Sequence, residues 1–196
     1  MEKPKMVVPQ EDFIVNYLFE DAKFFLQEAK KVRDKDAPTT RRYVRASIIT
    51  SFAAVEAFLN PRLFLLLDEG TELELVEKAF IKEKRLELTE DGYFDMRRRK
   101  FSSLEEKIRF LYWRKKGVRI PKGNVAWESF VKAQRLRNEL AHPKPGKGSY
   151  AKLTVAAAES CLKASMEMAK TLGWTEGILR LKRKTQASSA DLFPKV

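Results

Sequence analysis

The chain's one histidine, His142, closes the run Arg137-Asn138-Glu139-Leu140-Ala141-His142. An imidazole and a guanidinium this close together are groups that can break a phosphodiester without a metal. The imidazole titrates near neutral pH and so can shuttle a proton. The guanidinium presents a planar fork of donors to phosphate oxygens, and one such contact typically changes a rate by a few kcal/mol. Asn138 lies one helical turn before His142, so on a continuing helix the two share a face. From there Asn138 can orient the imidazole or a phosphate oxygen.

The elements that must hold these groups are helical almost throughout. Ile14, Leu18, Ala22, Phe25, Ala29 and Val32 recur at spacings of three and four, which predicts a first helix from about Glu11 to Arg33. Pro38 forces a boundary. Thr39 or Thr40 can cap a second helix with Ile48, Phe52, Val55 and Leu59 on one face. Asn60-Pro61 predicts a kink or a stop. A third helix is expected over Glu72 to Arg85. In the stretch 85–96, Leu86 and Leu88 alternate with polar residues and Asp91-Gly92 follows, the signal of a small β-hairpin with a two-residue turn.

Ser103-Leu104-Glu105-Glu106 has capping-box spacing and opens a fourth helix to about Lys116. Asn124 caps a fifth helix, which carries the Arg137 motif at its C-terminal end and stops before Pro143. Pro143 to Gly148 reads as an exposed loop. Thr154 starts a sixth helix, whose Ala156, Ala157 and Ala158 allow a neighbouring helix to approach closely. The expectation is an all-α antiparallel bundle of five to six helices in a single domain over residues 1–196, with a basic tail over 175–196 that frays.

Composition narrows the function classes. One cysteine, Cys161, and one histidine exclude a disulfide framework and the multi-cysteine zinc signatures. No metal or cofactor is expected, and Cys161, mid-helix among alanines, reads as an inert packing residue. The first ten residues have no apolar run after their lysines, and Leu63 to Leu67 is too short to cross a bilayer. A cytoplasmic protein with no membrane partner is expected. Lys and Arg total 39 against 27 acidic residues, a net charge of +12 and a pI of 9.7. Such a field attracts polyanions, of which nucleic acid is the commonest. The basic runs lie at Arg97 to Lys100, Arg114 to Lys116 and Arg180 to Lys184; each also reads as a solvated face.

The run Arg137-Asn138-Glu139-Leu140-Ala141-His142 resembles the R-N-x-x-x-H form of the HEPN motif, named after nucleotide-binding proteins of higher eukaryotes and prokaryotes. In that family the motif sits near the end of a late helix in an α-helical bundle. The segment Ser47 to Asn60, S-I-I-T-S-F-A-A-V-E-A-F-L-N, resembles the family's long second helix, with an acidic residue and then Asn one turn on. The similarity covers roughly Asp12 to Lys170 in helix order, and the hairpin and the basic tail fall outside it. In members that keep the motif, the resemblance implies a metal-independent endoribonuclease, a toxin or defence component whose site forms where two motifs meet across a homodimer.

RNA cleavage of this kind proceeds by attack of the 2′-hydroxyl on the adjacent phosphate. It leaves a 2′,3′-cyclic phosphate and a 5′-hydroxyl. One motif per chain supplies one histidine, which is a separate physical reason to expect a twofold pair. Glu56 is the candidate partner that holds the Arg137 guanidinium, with Asn60 beside it. Lys144 and Lys147, after the motif, are candidates to contact the RNA backbone. Some HEPN toxins carry a tyrosine two residues after the histidine, which a partner nucleotidyltransferase modifies. Lys144 holds that position here, and the nearest downstream tyrosine is Tyr150.

Other readings stand beside this one. A histidine near a helix end also serves as a cap. Glu56 and Asn60 also read as a buried polar pair fixing one helix on another. Trp113, Trp127 and Trp174 read as core or interface anchors. The alternatives to an RNA-cleaving enzyme are a non-catalytic helical module binding RNA or a nucleotide, and an interaction protein such as an antitoxin or adaptor.

Overall fold

The computed structural model describes residues 11–68, 72–141 and 149–175. These residues are mostly helical, with one two-stranded antiparallel sheet. They group into two compact units, one built from residues up to Ala57 together with those from Val125 on, the other from Phe58–Asn124.

The first unit contains α1 (Glu11–Val32), the first part of α2 (Ala37–Asp68), α5 (Val125–Ala141), a 3-10 turn (Ser149–Lys152) and α6 (Val155–Thr171). α6 packs against both α1 and α5. On α1 the buried residues are Val15, Phe19, Ala22, Leu26 and Ala29. The expected stripe is therefore rotated by about one position, because Ile14 is exposed while Val15 is enclosed. The reading of α2 holds: Ile48, Phe52, Val55 and Leu59 are all buried. Phe52 meets Phe130 of α5 at 5.3 Å between ring centroids, and Trp174 meets Phe19 at 4.7 Å.

α2 begins earlier than its threonines suggest. The Asp36 carboxylate accepts from the Thr39 backbone N–H at 3.0 Å and from the Thr39 hydroxyl at 2.6 Å. Asp36 thus satisfies a donor of the first helical turn that no backbone carbonyl can reach. The Thr39 hydroxyl, followed by its backbone N–H, holds the Asp36 carboxyl below the ordinary carboxylate range. Pro38 sits inside that first turn, where its missing N–H costs nothing.

Of the kink or stop expected at Asn60-Pro61, the stop does not form: α2 continues through Pro61 to Asp68. Proline removes the amide that would bond the Ala57 carbonyl and crowds the preceding turn. One residue on, Arg62 Nη1 donates to the Phe58 carbonyl at 3.1 Å and its guanidinium lies 3.7 Å from the Phe58 ring centroid. Burial of Phe58, Leu59 and Leu63 also favours a continuous helix. With 32 residues, α2 is long and apolar enough to cross a membrane by length and composition. Judging the run Leu63 to Leu67 alone missed this. The burial of Val44, Ile48, Phe52 and Val55 is that of a core helix.

The second unit adds α3 (Leu75–Ile81), β1 (Lys84–Leu88), β2 (Phe94–Arg99) and α4 (Leu104–Lys116) to the end of α2. α3 is shorter than the expected span from Glu72 to Arg85. The chain leaves the helix through Glu83, at φ 50°, and turns directly into β1. β1 and β2 pair with Leu86 opposite Met96 and Leu88 opposite Phe94. The hairpin is as predicted but its turn is not of the two-residue kind. Thr89 N donates to Tyr93 O at 2.8 Å and Gly92 N to Thr89 O at 3.0 Å, so three residues form the loop. Gly92 takes the left-handed position, φ 82°, which such a loop requires.

The predicted capping box of α4 is present. Ser103 Oγ accepts from Glu106 N at 3.2 Å, and Glu106 Oε2 accepts from Ser103 N at 2.7 Å. α4 ends at Gly117, φ 71°. Thr154 caps α6 as read from the sequence, its hydroxyl accepting from Ala157 N. The three tryptophans differ. Trp174 is buried, Trp127 is half-buried against Phe130, and Trp113 is 42% exposed beside Phe110.

Candidate functional site at the C-terminal end of α5

Arg137 lies one turn from the C-terminal end of α5, and Glu56 lies on α2 just inside the boundary of the first unit. Phe52 and Phe130, in ring contact and fully buried, fix these helices against each other one to two turns before the polar pair. Arg137 Nη2 then meets Glu56 Oε1 at 3.0 Å. Their side chains are 29% and 42% exposed, so water screens the pair. An ion pair this open contributes about 0–1 kcal/mol to stability. Its geometric effect is larger, because it fixes one edge of a guanidinium that solvent still reaches.

The second edge of that guanidinium is also held. Arg137 Nη1 donates to Asn138 Oδ1 at 3.1 Å. Asn138 is exposed, and its amide oxygen is engaged with the arginine. The sequence reading gave Asn138 the task of orienting the histidine or a phosphate; its amide nitrogen, a donor, is the end that suits a phosphate oxygen. Glu139, next along, meets Lys152 Nζ at 2.6 Å. This bond ties the end of α5 to the 3-10 turn. Sequence reasoning missed Lys152, since no spacing rule links a helix end to a residue beyond the following loop.

Asn60, expected beside Arg137, has its hydrogen-bond partner on α4. Its Oδ1 accepts from Lys107 Nζ of α4 at 3.1 Å. Lys107 in turn pairs with Glu83 at 2.8 Å, so Asn60 belongs to a polar cluster of the second unit. The idea of Glu56 and Asn60 as one buried pair fails too, as Glu56 is half-exposed and Asn60 exposed. His142, Lys144 and Lys147 lie outside the described residues; the last described residue of α5 is Ala141.

Cys161 is closed off from chemistry. It is 1% exposed, its Sγ lies 4.0 Å from the Ala133 carbonyl, and burial pushes its thiol up to about 12. The structure thus brings together Glu56, Arg137 and Asn138 on one partly solvated surface of the first unit. That arrangement can hold a phosphate-sized anion against a pre-oriented guanidinium. The chain matches no protein-family model, no curated protein and no solved structure.

Proposed function

We propose that this protein is an HEPN-type, metal-independent endoribonuclease that works as a homodimer. The observation that carries the proposal is the Glu56–Arg137 pair at 3.0 Å, set directly before the motif's histidine. An arginine held on one side by a carboxylate and on the other by Asn138 loses less freedom when it binds a phosphate. It is then placed to take the negative charge that grows as the 2′-hydroxyl attacks. His142 moves the proton, and a second copy of the motif across a twofold axis supplies the other half of the acid–base pair. The net charge of +12 supports RNA as the substrate by attracting it from solution. A toxin or defence role would follow from this activity, with a cognate antitoxin as partner and the cytoplasm as its place of action.

Purified protein incubated with single-stranded RNA in EDTA tests this. The expected result is cleavage to 2′,3′-cyclic phosphate ends, lost in His142→Ala and reduced in Arg137→Ala. RNA binding without cleavage by the unaltered protein would reduce the reading to a non-catalytic module. A monomer at all working concentrations would remove the paired site.

A further inference from the structure

The β1–β2 hairpin belongs to the second unit, and its two ends differ in a way that its fold does not require. At one end Leu88 and Phe94 are cross-strand partners and stand 64% and 59% exposed. At the other end Lys84 is the partner of Arg99. Directly opposed residues share a face, and alternation along β1 puts Leu86 on it between Lys84 and Leu88; on β2 the register shifts by one residue between Met96 and Arg99, so Arg99 joins the face through its pairing with Lys84. Along β1 this face therefore runs from an exposed apolar pair, one member of it aromatic, to a pair of cations, over about 13 Å for four residues of strand.

Like charges directly opposite each other destabilise a sheet. No carboxylate among the described residues lies within ion-pairing distance of Lys84 or Arg99 to relieve them. The hairpin does own carboxylates, but they are used elsewhere. Glu87 and Asp95 are opposed on the other face, where they meet Arg98 at 3.4 Å and Arg97 at 3.2 Å. Just past the cationic end comes Phe101, 76% exposed. Lys84 Nζ does donate to the Arg97 carbonyl, at 3.5 Å, but a hairpin kept only for solubility would not show three large apolar side chains to water beside a pair of opposed cations.

We propose that this face of the hairpin binds single-stranded RNA, with a base stacked on Phe94 and a phosphate seated between Lys84 and Arg99. Stacking platforms joined to cations are what sequence-tolerant recognition of a single strand uses. The choice of RNA as the polyanion rests on the ribonuclease reading. The hairpin face does not include Arg137 among its residues and would hold a strand without cutting it.

The test uses the full chain and a fluorescein-labelled oligouridine carrying 2′-O-methyl groups, which has no free 2′-hydroxyl to react. Affinity is measured by anisotropy across a salt series. Phe94→Ala should weaken binding about tenfold with the salt slope unchanged, and Phe94→Trp should restore it. The double variant Lys84→Gln/Arg99→Gln should lower the slope of log affinity against log salt by about 0.7, the value for one lost phosphate contact on a single strand. Circular dichroism at the working temperature confirms that each variant is folded. Folded variants with unchanged affinity and slope overturn the inference, as does binding to phosphatidylserine vesicles without binding to the oligonucleotide. Failure of the ribonuclease reading looks different: His142→Ala cuts RNA as well as the parent, while the hairpin variants still bind weakly.

Discussion

Glu56 and Arg137 are 81 positions apart in the chain, yet their side chains meet at 3.0 Å. The contact is too open to matter greatly for stability, so its value lies in the direction it gives the guanidinium. Glu56→Gln keeps the shape and removes the charge. It should change the unfolding free energy by less than about 1 kcal/mol, while RNA cleavage falls about tenfold or more. Glu56→Asp should recover part of that activity. Thermal melts and initial cleavage rates separate the two effects. A variant that unfolds early and cleaves normally while folded would make Glu56 a structural residue only.

Cys161 should be unreactive in the native protein. With the thiol raised from 9.0 to about 12 by burial, almost no thiolate exists near pH 8. Iodoacetamide should label it only at the rate of unfolding. The same shift makes stability depend on alkaline pH. The unfolded thiol ionises near 9 while the folded one stays protonated, so the contribution is whole below pH 9 and is lost as pH climbs toward 12. Cys161→Ala should flatten that part of the profile in melts recorded from pH 8 to pH 11.

At the acid end the group to watch is Glu106. The Ser103 backbone N–H, and then the Ser103 hydroxyl, hold its carboxyl below the ordinary value of 4.5. A lowered carboxylate stabilises the fold above 4.5, and that stability is lost as pH falls through the lowered value. Glu106→Gln should therefore lose less stability than the parent between pH 5 and pH 2. Ser103→Ala, which removes the cap, should cost about 1 kcal/mol at neutral pH. Urea midpoints at each pH measure both.

Gly92 has open space where a side chain would stand, so only its backbone constrains it. At φ 82°, Gly92→Ala should cost about 1–2 kcal/mol. A melt that leaves the variant unchanged would show that the turn re-forms in another geometry.

What could be read from the sequence follows from the range of the forces involved. Ser103 with Glu106, and Thr154 before α6, are local signals, and both act where they were read. Buried residues of α2 were legible because Ile48, Phe52, Val55 and Leu59 recur at helical spacing. At Pro61 the stop that was one of two expected outcomes does not form, because the proline's cost is local while the burial of Phe58 and Leu63 comes from tertiary structure. Asp91-Gly92 announced a hairpin, but Thr89 closing on Tyr93 decided the loop length. In the candidate site, Glu56 met Arg137 as expected. Asn60 takes Lys107 of α4 as its partner, which nothing in its own segment foretells.

Small residues, Cys161 and Ala133, meet where α6 packs against α5. Ala158 is fully enclosed, and Cys161 of the same helix touches the Ala133 carbonyl one turn before Arg137. Methyl-sized side chains at this seam leave no slack to absorb a larger group. A leucine at position 161 would act as a wedge, tilting the end of α5 outward and drawing Arg137 off Glu56 without altering either. The grip on the guanidinium is therefore set partly by side chains that carry no charge and never meet the polar surface they align.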